Sequence, residues 1–147
     1  MTRRIPILVF ILLFLGCDAL SPTSPGHEPT ATPYNGRFTG DLGIRAPNDE
    51  DWSLVTLDLV QNGNSITGTL RERKGRVHDV EGSLWLDSVD KASITVKNIE
   101  SPSCFSLGLA FHEVEYERRT GIARALVGQM GGRCQGTVMQ PFRLTRA

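Results

Sequence analysis

A five-residue pattern centred on glycine recurs along this chain and limits the folds open to it. The pattern is an apolar residue, any residue, glycine, any residue and a second apolar residue, and its glycines are Gly40, Gly68, Gly82 and Gly136. Alternate residues of a β-strand face the same side, so each glycine shares a face with two apolar side chains. Glycine weakens a strand interior and recurs where a sheet bends sharply or another backbone approaches closely. The pattern therefore predicts a strongly curved sheet with glycines on its inner face.

After Pro33 the chain has the rhythm of an antiparallel meander. Apolar and polar residues alternate in short runs, Gly, Asn, Asp, Pro and Ser separate the runs, and no segment carries a sustained helical stripe. We expect an all-β domain, a small antiparallel up-and-down barrel of about eight strands, because closure bends the sheet and removes its exposed edges. An open two-sheet sandwich is the alternative. The predicted strands are Gly36 to Ile44, Trp52 to Gln61, Ser65 to Glu72, Arg76 to Leu86, Lys91 to Lys97, Ser103 to Glu113, Arg118 to Val127 and Arg133 to Arg146.

The first residues of the chain have the anatomy of an export signal. Two arginines supply positive charge, an apolar run follows from Ile5 to Leu15, and Gly16 precedes Cys17. The run is too short to span a bilayer and stay there as a helix. The arrangement resembles the processing site of a bacterial lipoprotein. That resemblance implies a signal peptide over residues 1–16 and a lipid on Cys17, which becomes the first residue of the mature chain.

The rest of the chain divides into a tether and one domain. Residues 17–33 are rich in Ser, Thr, Pro and Gly after Leu20, a composition that cannot bury a core and is typical of a disordered tether. Residues 34–147 are enough for one barrel domain with its own core. We expect an exported protein held at the bacterial cell envelope, on its periplasmic or extracellular face, by the lipid on Cys17. Asp18 resembles a signal that retains some lipoproteins in the inner membrane, but the choice between inner and outer membrane stays open.

Two further cysteines remain once Cys17 is assigned to the lipid. Cys104 and Cys134 form an even pair in an exported chain, where the compartment permits disulfides, so we expect a disulfide between them. Two buried thiols, or a metal or redox site, are the alternatives, although neither cysteine has a second cysteine or a histidine at ligand spacing beside it. In the predicted topology strand seven separates the cysteines. The bond is therefore expected at the barrel mouth, where it joins the connection over residues 98–103 to that over residues 128–133.

The two ends of the predicted barrel sequence resemble those of lipocalin and avidin-like barrels, the calycins. Gly36-Arg37-Phe38 opens the first strand, and Phe142-Arg143-Leu144-Thr145-Arg146 closes the last. Calycins begin with glycine, any residue and tryptophan, and they pack a late basic side chain across that tryptophan. Here Phe38 stands where the tryptophan would be. The resemblance implies a closed antiparallel barrel.

The charge of the chain argues against a nucleic-acid partner. The sequence has 16 basic and 16 acidic residues, and loss of the arginines of the signal peptide leaves the mature form slightly acidic. Phosphate binding calls for a basic stripe and an excess of positive charge. The basic cluster Arg71, Arg73, Lys74 and Arg76 is interrupted by Glu72, and we interpret it as a solvated hairpin tip.

The sequence contains no set of residues that predicts catalysis, a cofactor or a metal. His78 is followed by Asp79 and His112 by Glu113, and in a strand the members of each pair face opposite sides, so neither pair converges on one metal or substrate. Both histidines are predicted to lie on the surface or at the barrel rim. The acidic loop over residues 48–51 lacks the glycine that a calcium loop requires. We therefore expect no catalytic, cofactor-binding or metal-ligating residues and no enzymatic activity.

The lengths of the connections at the two ends of the predicted barrel indicate where binding occurs. The tether enters at the near end, whose connections are short, whereas the far end carries the longer connections Arg45 to Asp51, Asn98 to Pro102 and Gly128 to Gly132. Functional loops commonly crowd one end of a rigid barrel, so the far end is the predicted binding mouth. The expected function is binding of a small apolar ligand or of an envelope protein. A structural or assembly role without a pocket, and inhibition of an extracellular enzyme, are the alternatives.

One aromatic residue departs from the phase of the glycine pattern. Trp85 has the opposite parity to the face that holds Gly82, so it is predicted to point outward. An exposed tryptophan can mark a contact surface, although single exposed apolar residues are common.

Overall fold

The computed structural model describes residues 32–44, 51–86, 88–99, 104–134 and 137–147. The predicted signal peptide, Cys17, nearly all of the tether, Gly136 and most of the acidic loop lie outside these residues. The described residues form β-strands joined by turns and loops, and none of them belongs to a helix long and apolar enough to cross a membrane.

The strands form a closed antiparallel barrel in which each strand pairs with its neighbour in sequence and the last pairs with the first. The predicted all-β, up-and-down barrel of eight strands is confirmed, and the alternative of an open sandwich is wrong. The strands are β1 (Gly36–Asp41), β2 (Val55–Asn62), β3 (Ser65–Arg71), β4 (Val77–Leu84), β5 (Ala92–Val96), β6 (Cys104–Tyr116), β7 (Ala123–Cys134) and β8 (Thr137–Arg146).

Three glycines of the repeated pattern, Gly40, Gly68 and Gly82, lie on the inner face of the barrel, as predicted. Their apolar partners in the pattern are buried or packed against the core. A Cβ atom on Gly40 would lie 2.6 Å from the carbonyl oxygen of Arg143, and one on Gly82 would lie 2.6 Å from the Cα atom of Ile94. In each case the obstacle is the backbone of a paired strand. The missing side chains therefore let neighbouring strands fold closely over one another, which is what strong curvature requires.

Large side chains fill the core at both ends of the barrel. At the near end lie residues 32–35, the β2–β3 turn, the β4–β5 loop and the β6–β7 loop; at the far end lie the β3–β4 turn and the segment that leads into β2. Tyr34 is fully buried at the near end, where its ring centroid lies 5.4 Å from that of Phe111. Trp52 is fully buried at the far end, where its carbonyl oxygen accepts the backbone N–H of Leu42.

The seventh strand differs most from the prediction. The sequence predicts a far-end loop over Gly128 to Gly132, but β7 continues through this stretch and ends at Cys134. The loop prediction is wrong because Cβ atoms on Gly128 and Gly132 would strike the backbone of β6, so these glycines serve close strand approach rather than a turn. β8 accordingly begins only at Thr137.

The length of β7 changes the relation between the two later cysteines. Cys104 opens β6, Cys134 ends β7, and the two residues are direct partners in the antiparallel ladder. The prediction that strand seven separates them is therefore wrong, and so is the placement of the bond between two loops. Directly opposed residues of an antiparallel pair have Cα atoms about 4.5 or 5.5 Å apart, which is within the range of a disulfide. The backbone register is compatible with the predicted pairing.

Arg146 closes the near end of the barrel against the first strand. Its guanidinium carbon lies 4.8 Å from the centroid of the Phe38 ring. Its Nε atom donates a hydrogen bond to the carbonyl oxygen of Ala123 at 2.5 Å, and its Nη2 atom donates one to that of Asn35 at 2.7 Å. A late basic side chain packed across an early aromatic ring is the arrangement that the calycin resemblance implies. The closed eight-stranded barrel is likewise consistent with a calycin-like fold.

Glu72 organises the β3–β4 turn at the far end. Its buried carboxylate accepts hydrogen bonds from the backbone N–H groups of Asp51 at 2.9 Å, Lys74 at 2.8 Å and Arg76 at 2.8 Å. Burial opposes ionisation, but these hydrogen bonds and the positive charge of Arg76 outweigh it and lower the pKa of Glu72. The basic residues around Glu72 are exposed, so the predicted hairpin tip is confirmed, with an inward-facing carboxylate at its centre.

Candidate functional site

The far-end mouth that the sequence predicts has little counterpart in the described residues. Two of its three connections, Arg45 to Asp51 and Asn98 to Pro102, lie mostly outside these residues, and the third is part of β7. Trp52 and the turn around Glu72 occupy the described part of this end. The described residues with features of a site lie in the interior and on the outer wall.

His78 lies inside the barrel, near the far end. It is only 5% exposed, whereas Asp79 points outward, so the two face opposite sides as predicted. Of the two predicted positions, surface or barrel rim, the surface position is wrong because His78 shares the inner face with Val80 and packs against Trp52, with ring centroids 5.2 Å apart. Among the described residues, Nε2 of His78, Nε1 of Trp52 and the hydroxyl group of Tyr34 are buried without a hydrogen-bond partner. Buried polar atoms usually have partners, so these three atoms require an explanation.

A β-bulge changes the position of the second histidine. The ladder between β6 and β7 shifts register between Phe111 and Glu113, and both His112 and Glu113 are exposed. The predicted opposition of these two side chains is wrong because an extra residue in one strand breaks the alternation of faces. The rings of His112 and Trp85 meet edge to face, with centroids 5.9 Å apart. Trp85 is 40% exposed, which confirms its predicted outward direction.

Charged side chains on the outer wall pair with one another. Arg37 and Asp58 form an ion pair at 2.7 Å, and Glu115 receives hydrogen bonds from both Arg124 and Arg143. The hydrogen bond from Arg143, followed by that from Arg124, lowers the pKa of Glu115 to about 2. In the part of the chain that the structure describes, no three His, Cys, Asp or Glu side chains gather closely enough to hold a metal ion.

A shallow hollow lies on the outer wall between β5 and β8. It has a volume of about 270 Å³ and opens to solvent. Its floor is formed by Gly108 of β6 and Gly131 of β7, which are partners in the ladder, and its sides by their further partners, Thr95 of β5 and Met139 of β8. Met139 is largely exposed to solvent. The other lining residues carry no charge: Ser93, Ile94, Leu109, Ala110 and Gln129.

The glycines of this hollow differ in their surroundings from the glycines of the interior. A Cβ atom on Gly108 would have its nearest neighbours at 3.7 Å, which is ordinary van der Waals contact, and one on Gly131 would meet only the sulfur of Met139 at 3.1 Å. The end of a methionine side chain moves aside easily. The fold would therefore accept side chains at both positions. The space that the two glycines leave lies on the outer surface of the barrel.

The hollow is absent from the sequence-based predictions, although the sequence carries a signal for it. Gly108 stands between Leu107 and Leu109, both buried, so it occupies the outward phase of β6. In the repeated pattern the apolar residues lie two positions from the glycine, so the glycine faces inward with them. A glycine whose immediate neighbours are both apolar and inward-facing must itself face outward. The alternation around Gly108 thus predicts a gap on the outer face. The sequence does not reveal that Gly108 pairs with Gly131, because this pairing depends on the register between β6 and β7.

Comparison with known proteins identifies no relative of this chain. No protein-family model matches it, and no curated protein and no solved structure matches it either. A function must therefore be inferred from the site itself.

Proposed function

We propose that this protein is a lipid-anchored protein of the bacterial cell envelope that binds a protein partner through the hollow on the outer wall of its barrel. The observation that carries the proposal is the ladder row Thr95, Gly108, Gly131 and Met139, whose glycines leave a space that the fold does not require. Glycine on a strand permits the close approach of another backbone. An uncharged hollow also has the composition of a small interface core.

The packing of the interior favours a partner surface over ligand transport. Barrels that carry a ligand keep a cavity of about 300 Å³ or more. Here the inward glycines bring neighbouring backbones together, and Tyr34 and Trp52 are fully buried at the two ends. Both rings thus take up interior space at the ends of the barrel.

Binding of a small apolar ligand inside the barrel is the second candidate, and the three unpartnered polar atoms favour it. Nε1 of Trp52 and Nε2 of His78 belong to two rings whose centroids lie 5.2 Å apart at the far end, and Tyr34 lies at the near end. A ligand with one polar group would satisfy either location. Native mass spectrometry of the protein from its own envelope separates the candidates, because a carried ligand adds a discrete mass and a partner surface adds none.

The proposed covalent features are a lipid on Cys17 and a disulfide between Cys104 and Cys134. The support for the lipid is the resemblance of the first residues to a lipoprotein processing site. The support for the disulfide is the ladder register, which makes the two cysteines direct partners. A bond between the start of β6 and the end of β7 stabilises the far end, by about 2 to 4 kcal/mol for a typical disulfide.

Intact-mass spectrometry of the protein purified from its own membranes tests both covalent features. We expect a chain that starts at Cys17, carries the mass of attached acyl chains and gains the mass of two hydrogens on reduction. Cys17→Ala is expected to leave an unprocessed chain without acyl mass, whereas Cys134→Ala keeps the lipid and loses the response to reductant. A mature chain without acyl mass contradicts the anchor, and a mass unchanged by reduction contradicts the disulfide.

Photo-crosslinking in intact cells tests the partner surface. A photoreactive amino acid at Gln129, at the edge of the hollow, is expected to capture a discrete protein. Gly108→Arg fills the hollow and is expected to reduce this capture about tenfold or more, while the barrel keeps its fold because Gly108 has room for a side chain. The control is the same photoreactive amino acid at the exposed Thr67 of β3, across the barrel from β7. Equal capture at both positions, or capture unaffected by Gly108→Arg, contradicts the proposal.

A further inference from the structure

We infer that the near end of the barrel rests on the surface of a bilayer that contains anionic lipids. The inference rests on the proposed lipid on Cys17 and adds an orientation to it. The β4–β5 and β6–β7 loops contact the membrane, and the far end points away from it.

The point of attachment selects the near end. Thr32 precedes β1 at this end, and the chain from Cys17 to Thr32 is about 15 residues long, which spans at most about 50 Å when fully extended. A lipid on Cys17 therefore keeps the near end within a short distance of the bilayer, at a high effective concentration. Even weak contacts between the near end and the lipid surface are then populated.

The near end exposes a group of apolar side chains. In the β4–β5 loop Trp85 is 40% exposed, Leu86 is 93% exposed and Val89 is 56% exposed. Ile122 of the β6–β7 loop is 44% exposed. Tryptophan is enriched at membrane–water interfaces, where its ring lies at the level of the headgroups, and exposed leucine next to it adds apolar area for burial. This composition fits a lipid surface.

Backbone hydrogen bonds hold both loops in shape. The N–H of Trp85 donates to the carbonyl oxygen of Lys91 at 2.8 Å, and the N–H of Ser88 donates to that of Trp85 at 3.2 Å. In the β6–β7 loop the N–H of Glu117 donates to the carbonyl oxygen of Ile122 at 2.9 Å. The apolar side chains are thus presented by turns that are already formed, so binding loses little conformational entropy.

The β6–β7 loop has two basic residues, Arg118 and Arg119, against one acidic residue, Glu117, and this excess of positive charge suits an anionic surface. Lys91, Arg118 and Arg119 are exposed, and no ion pair joins them to another described residue. The β4–β5 loop has Asp87 and Asp90 against Lys91, so it adds no excess of positive charge. Each basic side chain near an anionic membrane strengthens binding about fivefold. The adjacent arginines at the tip of the β6–β7 loop are therefore the electrostatic contact with the lipid headgroups.

Tryptophan fluorescence of the full lipidated chain in vesicles tests the inference. The chain has two tryptophans, of which Trp52 is fully buried and Trp85 is exposed. The vesicles contain phosphatidylcholine and phosphatidylglycerol with bromine on their acyl chains, which quenches tryptophan on contact. We expect the emission of Trp85 to fall about twofold relative to vesicles without bromine, because its ring lies at the interface. A Trp85→Phe variant gives the unquenched contribution of Trp52.

Matched variants at the two ends decide the outcome. Leu86→Asp is expected to restore the emission of Trp85, whereas Leu54→Asp, at a 54% exposed position of the far end, is expected to leave the quenching unchanged. Arg118→Glu together with Arg119→Glu is expected to weaken the quenching. An acylated chain whose Trp85 is not quenched, or is quenched equally in the Leu86→Asp variant, overturns this inference alone. A chain that the mass spectrum shows to lack the acyl group overturns the anchor, and the inference falls with it.

Discussion

We expect Gly68→Ala and Gly82→Ala each to lower the free energy of unfolding by about 3 kcal/mol. A Cβ atom on Gly68 would lie 3.0 Å from the carbonyl carbon of Asp58 and closer still to its oxygen, and one on Gly82 would lie 2.6 Å from the Cα atom of Ile94. Carbon atoms pack at about 3.5 to 4.0 Å, so both substitutions create clashes. The obstacle is the backbone of a paired strand, which cannot move aside without breaking the ladder. Urea unfolding followed by circular dichroism measures the loss.

Outward-facing positions in the same sheet provide the controls for this prediction. Thr67→Ala and Ser83→Ala change exposed neighbours of the two glycines and are expected to shift the free energy of unfolding by less than about 0.5 kcal/mol. Gly108→Ala adds a Cβ atom where the nearest atoms lie at 3.7 Å, so we expect no loss, or a gain of about 0.5 to 1 kcal/mol from lower backbone entropy in the unfolded chain. If all five variants unfold at the same urea concentration, the inward glycines do not set the curvature of the barrel.

The barrel and its inward glycines could be predicted because both follow from a period of two. Gly40, Gly68 and Gly82 each lie two positions from apolar residues, so a single physical rule places them on the inner face with their flanks. Trp85 is one position out of that phase, and the same rule correctly turns it outward. Closure of the sheet follows from the need to bend at these glycines and to cover strand edges.

The course of β7 could not be predicted because glycine has two opposite meanings in a sequence. Gly128, Gly131 and Gly132 read equally well as a loop or as positions of close strand approach. Only the path of β6 decides between them, since it places backbone atoms against Gly128 and Gly132, whereas a Cβ atom on Gly131 would meet only the flexible side chain of Met139. The outer hollow depends on the same register, because it forms only where Gly131 meets a glycine of the neighbouring strand.

Two further differences have local physical causes. The bulge at His112 inserts a residue that no periodic pattern reveals, and it turns both His112 and Glu113 outward. The position of the cysteine pair depended on where β7 ends, so the error in that strand also displaced the expected disulfide. His78 keeps the predicted parity relative to Asp79, but the buried ring of Trp52 covers it.

Glu72 is a further case in which composition alone misleads. Within a run of basic residues it reads as one more solvated charge, yet its side chain turns inward and accepts three backbone hydrogen bonds. The direction of those N–H groups is set by the turn and by the entry of the chain at Asp51, which no local pattern specifies. The carboxylate therefore links the β3–β4 turn to the segment that places Trp52 at the far end.

We expect Glu72→Ala to lower the free energy of unfolding at pH 7 by about 3 kcal/mol and Glu72→Gln by about half as much, since the loss of a charged acceptor leaves backbone donors without partners. The pKa of Glu72 is below its ordinary value of 4.5, so its ionised form stabilises the folded chain above that pH and the contribution is lost as the pH falls through the lower, folded pKa. The difference between wild type and Glu72→Gln should therefore be full near pH 7 and shrink below pH 4.5. Urea unfolding at several pH values measures this difference in the free energy of unfolding. The control is Glu81→Gln, which removes an exposed ion pair with Lys97 and is expected to change the free energy of unfolding by less than about 1 kcal/mol. A difference that stays constant down to pH 3 would show that the Glu72 carboxylate acts through its shape and not through its charge.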